Sequence, residues 1–127
     1  MNDRELLELA AKAAGFVGFK WENLARYGKS PFGFDEAIWS QEIYQERGSG
    51  YWNPLEDDGD ALRLAVKLRM DIDISINAGY VSVTAHREPD ERVFIVEKPG
   101  DSAEALRRAI TRAAAEIART TDTGGEA

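Results

Sequence analysis

Apolar residues recur at helical spacing in three stretches of the chain and alternate with polar ones in a fourth. Leu6, Leu9, Ala10 and Ala13 lie three and four apart, with Asn2 placed to cap the first turn, Glu5 at the capping-box position and Gly15 where a helix should stop. Phe16-Val17-Gly18-Phe19-Lys20-Trp21 carries the aromatic and branched residues of a strand, weakened by Gly18. A second helix is predicted after Pro54, capped by Asp57 or Asp58 and running to about Met70. Ala61, Leu64, Ala65 and Leu68 form one apolar stripe, Leu62 and Val66 another, and Asp60, Arg63 and Lys67 a narrow polar edge. A helix that apolar is expected to be covered on most sides.

Ile72, Ile74 and Ile76 alternate with Asp71, Asp73, Ser75 and Asn77, and Val81, Val83 and Ala85 with Ser82, Thr84 and His86, around an Asn77-Ala78-Gly79-Tyr80 turn. Pairing Ile76 with Val81, Ile74 with Val83 and Ile72 with Ala85 puts every apolar side chain of this hairpin on one face and brings Asp71 opposite His86. Arg87-Glu88-Pro89-Asp90 turns the chain into a third strand at 92–97. There Val93, Phe94, Ile95 and Val96 predict burial on both sides or an interface. Asp101 and Glu104 open a last helix along Ala103, Leu106, Ile110, Ala113 and Ile117.

Between these elements, residues 22–50 read as an ordered but irregular insertion with a helical turn near 35–44. Gly28, Pro31, Gly33, Gly48 and Gly50 are mixed there with Tyr27, Phe32, Phe34, Trp39 and Tyr44, and Tyr51 follows. The predicted class is α+β: a largely antiparallel sheet of three to four strands packed with three helices, plus this aromatic insertion. One domain spans 1–119 and a flexible tail 120–127.

Charge and composition narrow the partners. A formal net charge of -7 opposes binding to a nucleic-acid polymer, and no basic run offsets it. Without cysteine there is no disulfide framework or thiolate metal site, and no apolar run approaches the roughly 20 residues that cross a bilayer. The chain opens on a charged helix pattern with no signal peptide, so a cytoplasmic location is expected.

The candidate chemistry is modest. Glu56-Asp57-Asp58-Gly59-Asp60 lacks the spacing of an EF-hand loop and reads as a helix cap rather than a metal site. His86 beside Asp71 has the form of an oriented base, yet a cross-strand ion pair explains it as well. The glycines match no phosphate-binding loop. The aromatics are more suggestive, because Trp21, Trp39, Tyr44, Tyr51 and Trp52 occur in or beside the insertion with Lys20, Arg26, Lys29 and Arg47. Stacking faces with nearby cations suit a small nucleotide, with Arg63 and Lys67 able to join from the following helix. The same residues also suit core packing, an oligomer contact or a protein interface.

Trp52-Asn53-Pro54-Leu55, followed by Asp57-Asp58-Gly59-Asp60-Ala61-Leu62-Arg63-Leu64-Ala65-Val66-Lys67-Leu68, resembles small bacteriophage proteins with a phage ABA sandwich domain. The opening Leu6-Leu7-Glu8-Leu9-Ala10-Ala11-Lys12-Ala13-Ala14-Gly15 and closing Ala109-Ile110-Thr111-Arg112-Ala113-Ala114-Ala115-Glu116-Ile117 are similar too, whereas residues 22–50 lie outside the resemblance. It implies a phage protein acting in the host bacterial cytoplasm and supplies no catalytic residue. The expected function is counter-defence: a non-enzymatic homo-oligomer that sequesters a nucleotide immune signal, of cyclic dinucleotide or cyclic ADP-ribose type, without cofactor or metal. Its expected ligand-binding residues are Trp21, Arg26, Trp39, Tyr44, Arg47, Tyr51, Trp52, Arg63 and Lys67. A protein-binding inhibitor of a host defence or regulatory protein is the alternative, marked by an exposed aromatic and apolar patch without an enclosed pocket.

Overall fold

Asn2 caps the first helix as its position predicts, its Oδ1 accepting from Glu5 N at 2.8 Å while its Nδ2 donates to Glu5 Oε1 at 3.0 Å. A computed structural model of the chain describes residues 1–125 apart from 27, 76 and 88–90. Helix α1 (Asp3–Ala13) ends in paired bonds from Gly15 N to Lys12 O and Phe16 N to Ala11 O, with Gly15 at φ +86°. That closure turns Phe16 into the core, and Gly18 at φ +71° bends the chain again. The strand predicted from Phe16 therefore begins only at Lys20.

Residues 22–50 are irregular only in part, in the loop of residues 24–35, of which residue 27 is outside the described residues. Strands β1 (Lys20–Asn23), β2 (Glu36–Trp39) and β3 (Tyr51–Trp52) form an antiparallel sheet in that order. Leu24 N donates to Asp35 O at 2.7 Å, clasping the ends of the loop between β1 and β2. Helix α2 (Gln41–Arg47) follows β2, its first turn capped by Ser40 Oγ and its end closed by Gly48 at φ +77°. The turn expected near 35–44 is thus a strand followed by a helix. Its signal was hidden because Ala37 and Ile38 are both buried, leaving no alternation to read.

After α3 (Asp58–Lys67), strands β4 (Asp71–Ser75), β5 (Tyr80–Arg87) and β6 (Glu91–Glu97) make a second antiparallel sheet, β4-β5-β6. Ile74 pairs with Val81 and Ile72 with Val83, two residues away from the expected register. A shift of two preserves which face each side chain takes, so the apolar residues still share one face, buried at Val81, Val83 and Ala85 of β5 but exposed at Ile72 and Ile74 of β4. Ile76 and the turn at Glu88, Pro89 and Asp90 lie outside the described residues. Helix α4 (Ala103–Gly125) is capped by Ser102 Oγ, which accepts from Ala105 N at 3.2 Å, and not by Asp101. It extends through Gly125, past the predicted start of a loose tail.

The class is α+β with antiparallel sheets and, among the described residues, four helices and two sheets where three helices and one sheet were expected. Helix α4 packs on β5 and β6, α1 and α3 pack on α4, and α1 also meets β2, so the helices join the two sheets. Leu7, Ile38, Val81, Val83 and Ile110 are completely enclosed in one continuous core. Two apolar expectations fail. Leu62 and Val66 of α3 are 61% and 69% exposed, and on β6 Phe94 and Val96 are exposed while Val93 is buried. No helix among the described residues is long and apolar enough to cross a membrane.

The segment from 52 to 60 is held by polar side chains. Asn53 Nδ2 donates to Glu36 O on β2 at 2.8 Å, and its Oδ1 accepts from Leu55 N at 3.0 Å. Asp57 caps α3 by accepting from Asp60 N at 2.8 Å. Asp60, expected on a polar edge, is only 2% exposed. Its Oδ1 accepts from Arg47 Nη1 and Arg63 Nη2, each at 2.9 Å, and its Oδ2 accepts from Asn53 N at 2.9 Å. Arg107 of α4 reaches the same turn, donating to Leu55 O at 2.8 Å and to Asp58 Oδ1 at 2.6 Å.

Removing the Asp60 carboxylate strands a buried backbone N–H and the half-buried Arg47 together. Asp60→Ala is expected to lower the unfolding free energy by about 3 kcal/mol, and Asp57→Ala by about 1 kcal/mol. Both would be read as lower urea midpoints at an unchanged slope.

Candidate functional site

Cross-strand register decides which aromatics of the small sheet share a face. Lys20 lies opposite Trp39, and Trp39 opposite Tyr51, so the three form one row. The Lys20 ammonium stands 5.5 Å from the Trp39 ring centroid. Tyr44 of α2 approaches Trp39 at 6.3 Å between centroids, and Phe32, from the loop between β1 and β2, approaches Tyr51 at 5.1 Å. Phe34 extends the group, 6.4 Å from Phe32 and nearly parallel to it. Phe32 and Tyr44 are 44% and 50% exposed, while Trp39 and Tyr51 are half-buried. Gly50 makes room for the indole: a Cβ there would come within 2.5 Å of Trp39 Nε1.

The opposite face belongs to the core. Ile38 and Trp52 pair across it, and Trp52 packs edge-on against Phe16 with centroids 5.0 Å apart. At 3% exposure, Trp52 has no open face for a base to stack on. Beyond it, an open groove of about 470 Å³ runs between the end of α1, α2 and α3. Phe16, Ile43, Leu62 and Val66 supply apolar walls, with Glu46, Arg63 and Lys67 among them. The Lys67 ammonium lies 5.3 Å from the Phe16 ring centroid.

The nine expected ligand-binding residues do not form one pocket. Trp39, Tyr44 and Tyr51 gather on the outer face of the small sheet, whereas Trp52, Arg63 and Lys67 line the groove. Arg47 and Arg63 are bound to Asp60, and Arg47 Nη2 also donates to Tyr51 O at 3.2 Å, so neither is an open phosphate clamp. Trp21 shares the core-facing side of β1, donates to Glu36 Oε2 at 3.2 Å and carries Arg4 over its ring at 5.2 Å. Arg26 is exposed in the turn after β1. Tyr27 lies outside the described residues. Lys20 and Phe32 complete the aromatic face, the first placed by strand pairing with Trp39 and the second by its ring contact with Tyr51.

The acidic run is accounted for by structure: Asp57 caps α3, Asp58 pairs with Arg107 and Asp60 binds the two arginines. Among the described residues, no group of three or more His, Asp or Glu side chains is arranged to hold a metal. His86 Nε2 lies 3.1 Å from Asp71 Oδ2, both exposed. In the observed register Asp71 faces Thr84, so this is a diagonal cross-strand pair.

Gly50→Ala should displace the Trp39 indole, destabilising the fold by about 1 to 3 kcal/mol through overpacking and separating Lys20 from the ring. A lower urea midpoint with an altered tryptophan emission spectrum would check this. No protein-family model, curated protein or solved structure matches the chain.

Proposed function

We propose that this chain is a non-catalytic binding protein that engages a partner protein through the outer aromatic face of its small sheet. The observation that carries the reading is the open aromatic group beside Lys20, in which Phe32 and Tyr44 are exposed and Trp39 and Tyr51 half-buried. Tyrosine and tryptophan dominate the energetics of protein interfaces because they bury much area while losing few rotamers. The formal charge of -7 favours a basic partner and speeds its approach. Taken with the resemblance to bacteriophage proteins, the partner is a host defence or regulatory protein in the bacterial cytoplasm, and binding blocks it.

Sequestration of a nucleotide signal is the second reading, favoured by Lys20 over Trp39 next to Tyr44, a cation and two ring faces at one place. It ranks lower because Arg47 and Arg63 are engaged by Asp60 and Trp52 is buried.

Tagged protein incubated with extract of a susceptible bacterium separates the two readings, alongside calorimetry with a panel of cyclic dinucleotides and cyclic ADP-ribose isomers. The expected outcome is a stoichiometric host protein whose affinity falls at least about thirtyfold in Tyr44→Ala, as for an interface hot spot. Tyr44 is half exposed, so the variant should keep its melting temperature. Nucleotide released intact on heating, with no captured protein, would replace the first reading by the second. Full-strength capture by Tyr44→Ala and Trp39→Ala would remove the aromatic face from the mechanism.

A further inference from the structure

Helix α3 presents an apolar ridge that the described residues leave open. Leu62 and Val66, four residues apart and so on one side of the helix, are the two most exposed large apolar residues of this helix, at 61% and 69%. Both also line the groove of about 470 Å³ that α3 forms with α2 and the end of α1. Ridge and groove are therefore side by side on one surface. The groove walls are oppositely charged, with Glu46 on α2 and Lys67 on α3.

We propose that the occupant of this surface is a second copy of the same chain, docked α3 against α3 about a two-fold axis. An isologous contact requires a patch that complements itself: if one residue meets a second across the axis, the second meets the first. This patch meets the requirement twice. The Leu62–Val66 ridge of each copy can enter the groove of the other, in the manner of helices packing ridges into grooves. Glu46 of each copy can meet Lys67 of the other, giving two symmetric ion pairs around an apolar centre. Arg63 is left to its intramolecular bond with Asp60, so the knot that anchors α3 is undisturbed. An unrelated partner would need to reproduce this arrangement of ridge, groove and both charges, whereas another copy carries it already. The contact uses none of the aromatic-face residues, so its success or failure is independent of the proposed function.

Sedimentation velocity over a dilution series of the full chain tests the proposal, with circular dichroism melts confirming that each variant is folded. Wild type is expected to dissociate from dimer to monomer on dilution, and Val66→Asp to remain monomeric throughout. Lys67→Glu should weaken the dimer at least about tenfold, as expected for a charge reversal that places like charges together. Adding Glu46→Lys to Lys67→Glu should restore it. A monomeric wild type, a Val66→Asp protein as dimeric as wild type, or a double variant no tighter than Lys67→Glu would each overturn the proposal.

Discussion

The carboxylate of Asp60 is the point on which the small sheet, α2 and α3 all depend. Enclosing an ionised carboxylate is expensive, and it persists only when its oxygens are satisfied. Here two arginines and a backbone N–H, drawn from α2, α3 and the residue after β3, do so. One acceptor thereby ties together three elements that also meet in the core through Ile43, Trp52 and Leu64. The neighbouring Asn53 carries the constraint onward to β2, and Arg107 carries it to α4. Gly59 belongs to the same design, since a Cβ there would come within 3.0 Å of the Arg63 guanidinium.

The aromatic face follows from that anchorage. Strand β3 has only two residues, Tyr51 and Trp52, too few to hold its register by pairing alone. Its position is set by the polar bonds on either side, with Arg47 on the Tyr51 carbonyl and Asp60 on the Asn53 amide. Once β3 is fixed, Trp52 points into the core and Tyr51 to the outer face beside Trp39. A side chain four residues from another in sequence and an acid on a later helix together decide which aromatic is structural and which is available.

Periodicity was a faithful guide where an element is long and has one buried face. Helix α1 and its glycine stop, the start of α3, the shared apolar face of the β4–β5 hairpin, buried on β5 but exposed at Ile72 and Ile74, and the run of α4 could all be read that way. It failed for β2 and β3 because a four-residue strand holds only two repeats of the two-residue period and a two-residue strand one, and because Ala37 and Ile38 are both enclosed. Hydropathy also misjudged α3 in both directions: Asp60 is buried because it is fully bonded, and Leu62 and Val66 are exposed because no element among the described residues lies over them. The aromatic-rich stretch could be recognised from the sequence as unusual. Its division into two faces could not, because that depends on register, and register here is dictated by hydrogen bonds from residues 47 and 60.

The bond between Leu24 N and Asp35 O closes the loop that supplies Phe32 and Phe34 at its base. The clasp fixes both ends of the loop at the sheet, while Phe32 rests against Tyr51 of β3. The entropy of closing such a loop rises only slowly as residues are added, by about 0.6 kcal/mol for each doubling of length. The chain can therefore diversify between those two residues at little expense to the scaffold, exchanging the rings it offers while keeping the frame that presents them.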